Sequence, residues 1–288
     1  MSTTETSTDY ETITVSPLNG ACGAEVAGVD LTGEVAPQTV AEIIKALDVH
    51  SVVRFRGQEL SPPAQERFAA RFGELAVYPF AEPTAESQHV FPIIKTAEQT
   101  ENFGGAWHSD SAYLDTPPSY TMLYGVRTPE VGGHTLFTSQ RLVTADMTSG
   151  FLDELTGMRV VYRAGNVPRY DRVDRDGMHH QSNPEVAERD VNHPLVRVHP
   201  NTGERFLFLS RLHTRRFKGM TEEESRPLLD QLFSMQIRAE YASWMDWEDG
   251  QLTIWDNRIV LHYALNNYQN ELRHMHRTTV LGEVPLAG

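Results

Sequence analysis

Residues 195–210, LVRVHPNTGERFLFLS, set two apolar-rich runs, LVRVH (195–199) and RFLFLS (205–210), on either side of a Pro-Asn-Thr-Gly turn. Two strand-like runs joined by such a turn read as a hairpin. Working outward, LTIWD (252–256) and HRTTVLGE (276–283) read as late strands, and SVVRF (51–55) and SYTMLYGV (119–126) as earlier ones. Helices are fewer. Residues 37–49 put Val40, Ile43, Ile44 and Leu47 on one stripe. Residues 62–73, PPAQERFAARFG, open on proline and close on Gly73, the expected order for a helix. Thr221 and Glu224 fit a capping box ahead of a face made by Leu228, Leu229, Leu232 and Phe233. In the second half strands outnumber helices and are separated by turns, not by crossover helices. The fold class expected is mainly β with flanking helices, built on an antiparallel barrel or jelly roll.

The chain has 288 residues and can bury a sizeable core. Its 25 basic and 39 acidic side chains give a formal net charge of -14, which argues against nucleic acid or an anionic membrane as main partner. Cys22 is the one cysteine, so an intrachain disulfide and a multi-thiolate zinc site are excluded. No apolar run approaches the length of a membrane span. The opening residues have neither the basic nor the apolar region of a secretion signal, so the cytoplasm is the expected compartment. Residues 1–10 are expected to be frayed and 11–288 to form a single domain. The polar stretch 163–192 reads as a candidate lid or mobile loop. Its arginines, Arg163, Arg169, Arg172 and Arg175, could help select an anion, whereas His179 and His180 read as a surface pair.

The chemistry starts at Trp107-His108-Ser109-Asp110. On a strand, positions two apart face one side, so His108 and Asp110 would project together. An imidazole and a carboxylate supply two metal ligands, and a third from elsewhere would complete a two-histidine, one-carboxylate triad with open positions. With 12 histidines and 39 acids, a surface pair of this kind also arises by chance. Residues 255–283, WDNRIVLHYALNNYQNELRHMHRTTVLGE, then place His262 after a strand-like run and follow it with Arg273 and Arg277. Two arginines four apart in an acidic chain point to an anion pocket, since a buried guanidinium stays charged and holds a carboxylate through two bonds. Either one alone could equally be a solvated charge or pair with an acid such as Glu271.

Taken together, GAEVAGVDL (23–31), VVRFRGQ (52–58), RFGEL (71–75), WHSD (107–110), PEVGGHTLF (129–137), GERFLF (203–208) and the 255–277 block resemble the taurine dioxygenase and phenoxyacetate dioxygenase family of Fe(II)- and 2-oxoglutarate-dependent oxygenases. The resemblance implies a double-stranded β-helix core, Fe(2+), and 2-oxoglutarate and O2 as co-substrates. It implies His108, Asp110 and His262 as the metal ligands, and Thr135 and Arg273 as holders of the distal carboxylate of 2-oxoglutarate. Arg277 resembles the second arginine, facing the keto-acid end or an anionic substrate. Trp255 and Asn257 resemble structural members of the motif. The implied reaction oxidises a C–H bond by hydroxylation, bond cleavage or desaturation, with release of succinate and CO2. The implied partner is a small, anionic or amino-acid-like substrate, and association into a homo-oligomer is left open.

The substrate region departs from the taurine enzyme's pattern. Where that enzyme carries polar side chains, this chain reads NFGGAW (102–107) and AVYPFAEP (76–83). Gly104 and Gly105 offer no side-chain hydrogen bond, so taurine is not the expected substrate. Tyr78, Phe80, Gly104, Arg211 and His213 are the candidate substrate contacts. Two other readings compete: zinc activating water for hydrolysis, and a jelly roll that only binds. Arg273 and Thr135 weigh against the first, which needs no separate carboxylate anchor. The filled triad weighs against the second.

Overall fold

The computed structural model describes residues 9–164 and 183–288. Its strands begin with β1 (Thr14–Pro17), β2 (Ala24–Ala27), β3 (Val52–Phe55), β4 (Phe91–Lys95) and β5 (Tyr120–Arg127). Next come β6 (Thr135–Ser139), β7 (Arg159–Tyr162), β8 (Val191–Pro194), β9 (Val196–Val198) and β10 (Arg205–Leu207). The last are β11 (Thr214–Phe217), β12 (Ala242–Met245), β13 (Leu252–Asp256), β14 (Val260–Ala264) and β15 (Arg273–Val280). The helices are α1 (Pro37–His50), α2 (Pro62–Ala69), α3 (Gln140–Ala145), α4 (Ser149–Leu155), α5 (Pro184–Glu188) and α6 (Glu222–Gln236).

A seven-stranded sheet in the order β1-β2-β3-β13-β5-β15-β4 faces a three-stranded sheet, β12-β6-β14. From β12 onward the chain alternates between them: β13 in the large sheet, β14 in the small, β15 back in the large. This winding of consecutive strands between two mostly antiparallel sheets is the jelly-roll core, with helices outside it. Both faces of the large sheet are covered, so its central strands read as nearly unbroken buried runs, not as an apolar–polar alternation. Tyr120, Met122 and Tyr124 of β5, with Leu252 and Ile254 of β13, pack with α1 and α2. The intervening Leu123 and Trp255 face the small sheet, where Phe137, Met245 and Val260 meet them.

The 195–210 hairpin forms as read, with Arg205 opposite Val198 and Leu207 opposite Val196. The capping box is present: Thr221 accepts from the Glu224 amide, and the Glu224 carboxylate accepts from Thr221. Other boundaries differ. The 62–73 helix ends at Ala69, after which Arg71 and Phe72 donate to Phe68 and Ala69 in tighter turns leading to Gly73. The last strand starts at Arg273 and ends at Val280, so Arg273 and Arg277 lie on it. Tyr10 was expected to fray, yet it is buried against α1 with the Lys45 ammonium 5.0 Å over its ring. Of the candidate lid, residues 165–182 lie outside the described residues, as do Arg169, Arg172, Arg175, His179 and His180. At its described ends Arg163 pairs with Asp190, and α5 occupies Pro184–Glu188.

Candidate active site

The His108 segment is not a strand. His108 makes one isolated bridge to β14, its amide donating to the His262 carbonyl (3.1 Å) and the His262 amide donating to the His108 carbonyl (2.8 Å). Those two bonds put both imidazoles side by side, with ring centroids 4.1 Å apart. His262 itself lies within β14, not after a strand. Asp110 still joins them. Its Oδ1 is 3.7 Å from His108 Nε2 and 3.8 Å from His262 Nε2. All three residues are buried, and their ligating atoms lie within 4.8 Å of one another.

A chain of donors fixes the carboxylate. The Asn257 amide donates to Thr121 Oγ1 (2.7 Å), and the Thr121 hydroxyl donates to Asp110 Oδ2 (2.7 Å). Trp255 Nε1 donates to Asn257 Oδ1 (3.0 Å), and Ser109 Oγ donates to the Asn257 carbonyl (2.8 Å). Burial acts to raise the pKa of Asp110. The Arg277 guanidinium, 3.4 Å away, and the Thr121 hydroxyl outweigh it and hold the carboxyl well below the usual range. Burial lowers the His108 pKa and takes that of His262 down to about 3. His108 Nδ1 lies 2.7 Å from the Ala106 carbonyl and so carries the proton. Its Nε2 lone pair therefore faces an ionised carboxylate. A cation between them relieves that repulsion, and this donor set fits a facial metal site.

A second arrangement lies further along the inner face of the large sheet. Arg273, Met275 and Arg277 share the inward side of β15 at a period of two. Arg273 is 5 % exposed, and neither its Nε nor its Nη2 has a hydrogen-bond partner. Its guanidinium lies 5.8 Å from the Trp247 ring centroid, and Trp247 Nε1 donates to Thr135 Oγ1 (3.0 Å). With its oxygen accepting from tryptophan, the Thr135 hydroxyl is free to donate its own proton. A buried guanidinium with unused donors beside a donating hydroxyl fits the tail carboxylate of a diacid.

Beside the triad opens a cavity of about 400 Å³, lined by Tyr78, Phe103, Gly104, Tyr113, His213 and Arg277 among others. Arg277 sits 5.0 Å over the Tyr78 ring. His213 packs edge-on against Tyr113 and His108, and burial lowers its pKa to about 3. Gly104 takes φ +78°, a backbone conformation that favours glycine, beside the His108 ring. Two sequence-derived contacts are elsewhere. Phe80 is buried between Tyr78 and Tyr113 in the neighbouring core and does not line the cavity. Arg211 is exposed and turns outward over Phe233 of α6. Sequence reading missed Thr121 and Trp247, which carry no motif of their own. A second cluster, Asp48, His199 and Asp256, also has metal-like spacing. There the Asp256 carboxylate is already engaged by Arg258 and His199.

The fold and site define a class, the mononuclear iron oxygenases built on a jelly roll, and the comparisons agree. The family described as "Taurine catabolism dioxygenase TauD, TfdA family" matches residues 14–279. The chain belongs to that family and is an Fe(II)- and 2-oxoglutarate-dependent dioxygenase. An alkylsulfatase of Acinetobacter baylyi is 31% identical over 278 residues, covering 93% of this chain and 84% of the relative. An alpha-ketoglutarate-dependent 2,4-dichlorophenoxyacetate dioxygenase of Cupriavidus pinatubonensis is 32% identical over 288 residues, covering 94% and 98%. The crystal structure of a taurine dioxygenase from Burkholderia xenovorans superposes with a TM-score of 0.80 at 32% identity, covering 96% of this chain and 93% of that one.

Proposed function

We propose that this dioxygenase oxidises a C–H bond of a small organic anion with an apolar body, releasing succinate and CO2. The observation that carries the reading is the buried His108–Asp110–His262 set opening onto a cavity that contains Arg277. In this reading those three side chains hold the iron, and Arg273 and Thr135 hold the distal carboxylate of 2-oxoglutarate. Bound Fe(II) and 2-oxoglutarate would supply the electrons that reduce O2, the oxidant of the substrate C–H bond. The chain's own residues do the rest. Thr121 and Asn257 orient the Asp110 carboxylate, and the Ala106 carbonyl fixes the His108 tautomer. Arg277 meets the substrate's anionic head, while Tyr78, Phe103 and Tyr113 pack its body and keep water from the reacting carbon. Named relatives act on sulfate esters and dichlorophenoxyacetate, which are organic anions of this kind.

The test is an anaerobic titration of the Fe(II)·2-oxoglutarate protein with sulfonates, sulfate esters, phosphonates, aryloxy acids and amino acids. Binding beside the metal shifts its charge-transfer absorption. An organic anion with an apolar body should shift it, and Arg277→Ala should weaken that response. A shift confined to zwitterionic amino acids would contradict the assignment.

A further inference from the structure

Lys95 ends β4 directly opposite Arg273 of β15, so both side chains emerge on the inner face of the large sheet. A buried lysine is costly without a counter-charge, yet Lys95 is 3 % exposed. Burial lowers its pKa, with no acid acting in the other direction, and the same holds for the paired Arg273 apart from the phenol of Tyr268. Two adjacent buried cations thus share one wall without a carboxylate from the described residues to neutralise them.

Tyr268 ties the pair together. The Lys95 ammonium donates to the Tyr268 carbonyl (3.2 Å) and sits 4.1 Å over its ring. That double hold fixes both the backbone and the ring plane of the tyrosine. The Tyr268 hydroxyl is buried without a hydrogen-bond partner, and it feels the charge of Arg273. The region therefore holds three unused buried donor atoms, Arg273 Nε, Arg273 Nη2 and Tyr268 Oη, plus the free proton of Thr135. Unused buried donors of this number are costly unless an acceptor-rich anion completes them.

We propose that Tyr268 is a further binding residue for the distal carboxylate of 2-oxoglutarate, donating its hydroxyl proton to it, and that Lys95 positions Tyr268 for this bond. The proposal rests on the reading that Arg273 anchors that carboxylate. The two cations on one wall then favour a dianionic keto acid over one that ends in a methyl group. Lys95 and Tyr268 would thereby set co-substrate selectivity without touching the metal or the prime substrate.

The test is calorimetric titration of the Mn(II)-loaded protein, without oxygen, with 2-oxoglutarate and with 2-oxobutyrate, which lacks the distal carboxylate. Tyr268→Phe, nearly isosteric, should bind 2-oxoglutarate at least tenfold more weakly and 2-oxobutyrate as the parent does. Lys95→Met should show the same selective loss, Lys95→Arg should restore most of it, and the Lys95→Met/Tyr268→Phe double variant should be little weaker than the weaker single. Equal loss for both keto acids, or none for either, would overturn the proposal. Arg273→Ala is the control for the parent reading. If it keeps full 2-oxoglutarate affinity, that reading fails. If it loses affinity while Tyr268→Phe does not, only the present proposal fails.

Discussion

At the scale of single residues, the buried carboxylate of the site is held ionised and oriented by specific partners. Asp110 stays ionised although it is buried, because Arg277 lies 3.4 Å away and Thr121 donates to its other oxygen. Removing that donor leaves the carboxylate free to rotate. Thr121→Val keeps the shape and deletes the hydroxyl, so Fe(II) affinity should fall about 10- to 100-fold, the usual cost of losing an outer partner of a ligand. Unchanged affinity in a competition titration would show that Asp110 is oriented by other means. The sequence made the candidate metal ligands and the arginines legible because WHSD holds His108 and Asp110, and His262, Arg273 and Arg277 follow WDNR within one block. It did not make Thr121, Trp247, Lys95 or Tyr268 legible. Each acts on a partner brought close only by sheet pairing or by packing across the core. Gly104 was legible only as a missing hydrogen bond, whereas its structural meaning is the positive-φ backbone it adopts beside His108.

At the scale of elements, the segment from the end of β13 through the turn into β14 bears most of the organisation. Its Trp255 and Asn257 hold the His108 segment, and its Asp256 is gripped by Arg258 and His199 in a fully buried cluster. Breaking a buried ion pair from one side costs about 3–5 kcal/mol because the remaining charge is left uncompensated. Arg258→Met should therefore lower the urea midpoint by an equivalent amount and loosen iron binding as well. A loss below about 1 kcal/mol would mean that His199 alone satisfies Asp256. A run of buried-type residues was a good guide to β13, which is buried along its whole length. It was a poor guide to the start of β15, where Arg273, His274 and His276 mask the strand and the register against β5 shifts between His274 and Met275. The expectation that His108 and Asp110 face together held without the strand it was argued from. A single bridge to β14, with the Asn257 contacts, does the work of a strand.

At the scale of the whole molecule, the fold places one seam between two sheets and puts the chemistry in it. Among the described residues no helix is long and apolar enough to cross a membrane. The mainly β class followed from turns separating the late strands, but the assignment of strands to two facing sheets needed long-range pairing that local pattern does not encode. Burial also gives the molecule an acid-sensitive side. His193 and His276 have their pKa values lowered from 6.5 to about 4, chiefly by burial. The unfolded chain takes up those protons first, so their stabilising effect is complete above pH 6.5 and is lost as pH falls towards 4. Each group contributes at most about 1.4 kcal/mol per pH unit in that window, His276 less because solvent reaches it. Thermal unfolding followed across the window should show this decline. His193→Gln, which keeps a donor for the Leu114 carbonyl that His193 Nε2 now meets, should flatten part of it. An unaltered slope would assign the acid sensitivity to other groups.

The central claim is that His108, Asp110 and His262 hold one ferrous ion that 2-oxoglutarate then chelates. It is tested most directly by adding Fe(II) and 2-oxoglutarate to the protein under anaerobic conditions and following the visible charge-transfer band. The band should saturate at one iron per chain and be absent in Asp110→Ala and His262→Ala. A full band in either variant at the same stoichiometry would contradict the account.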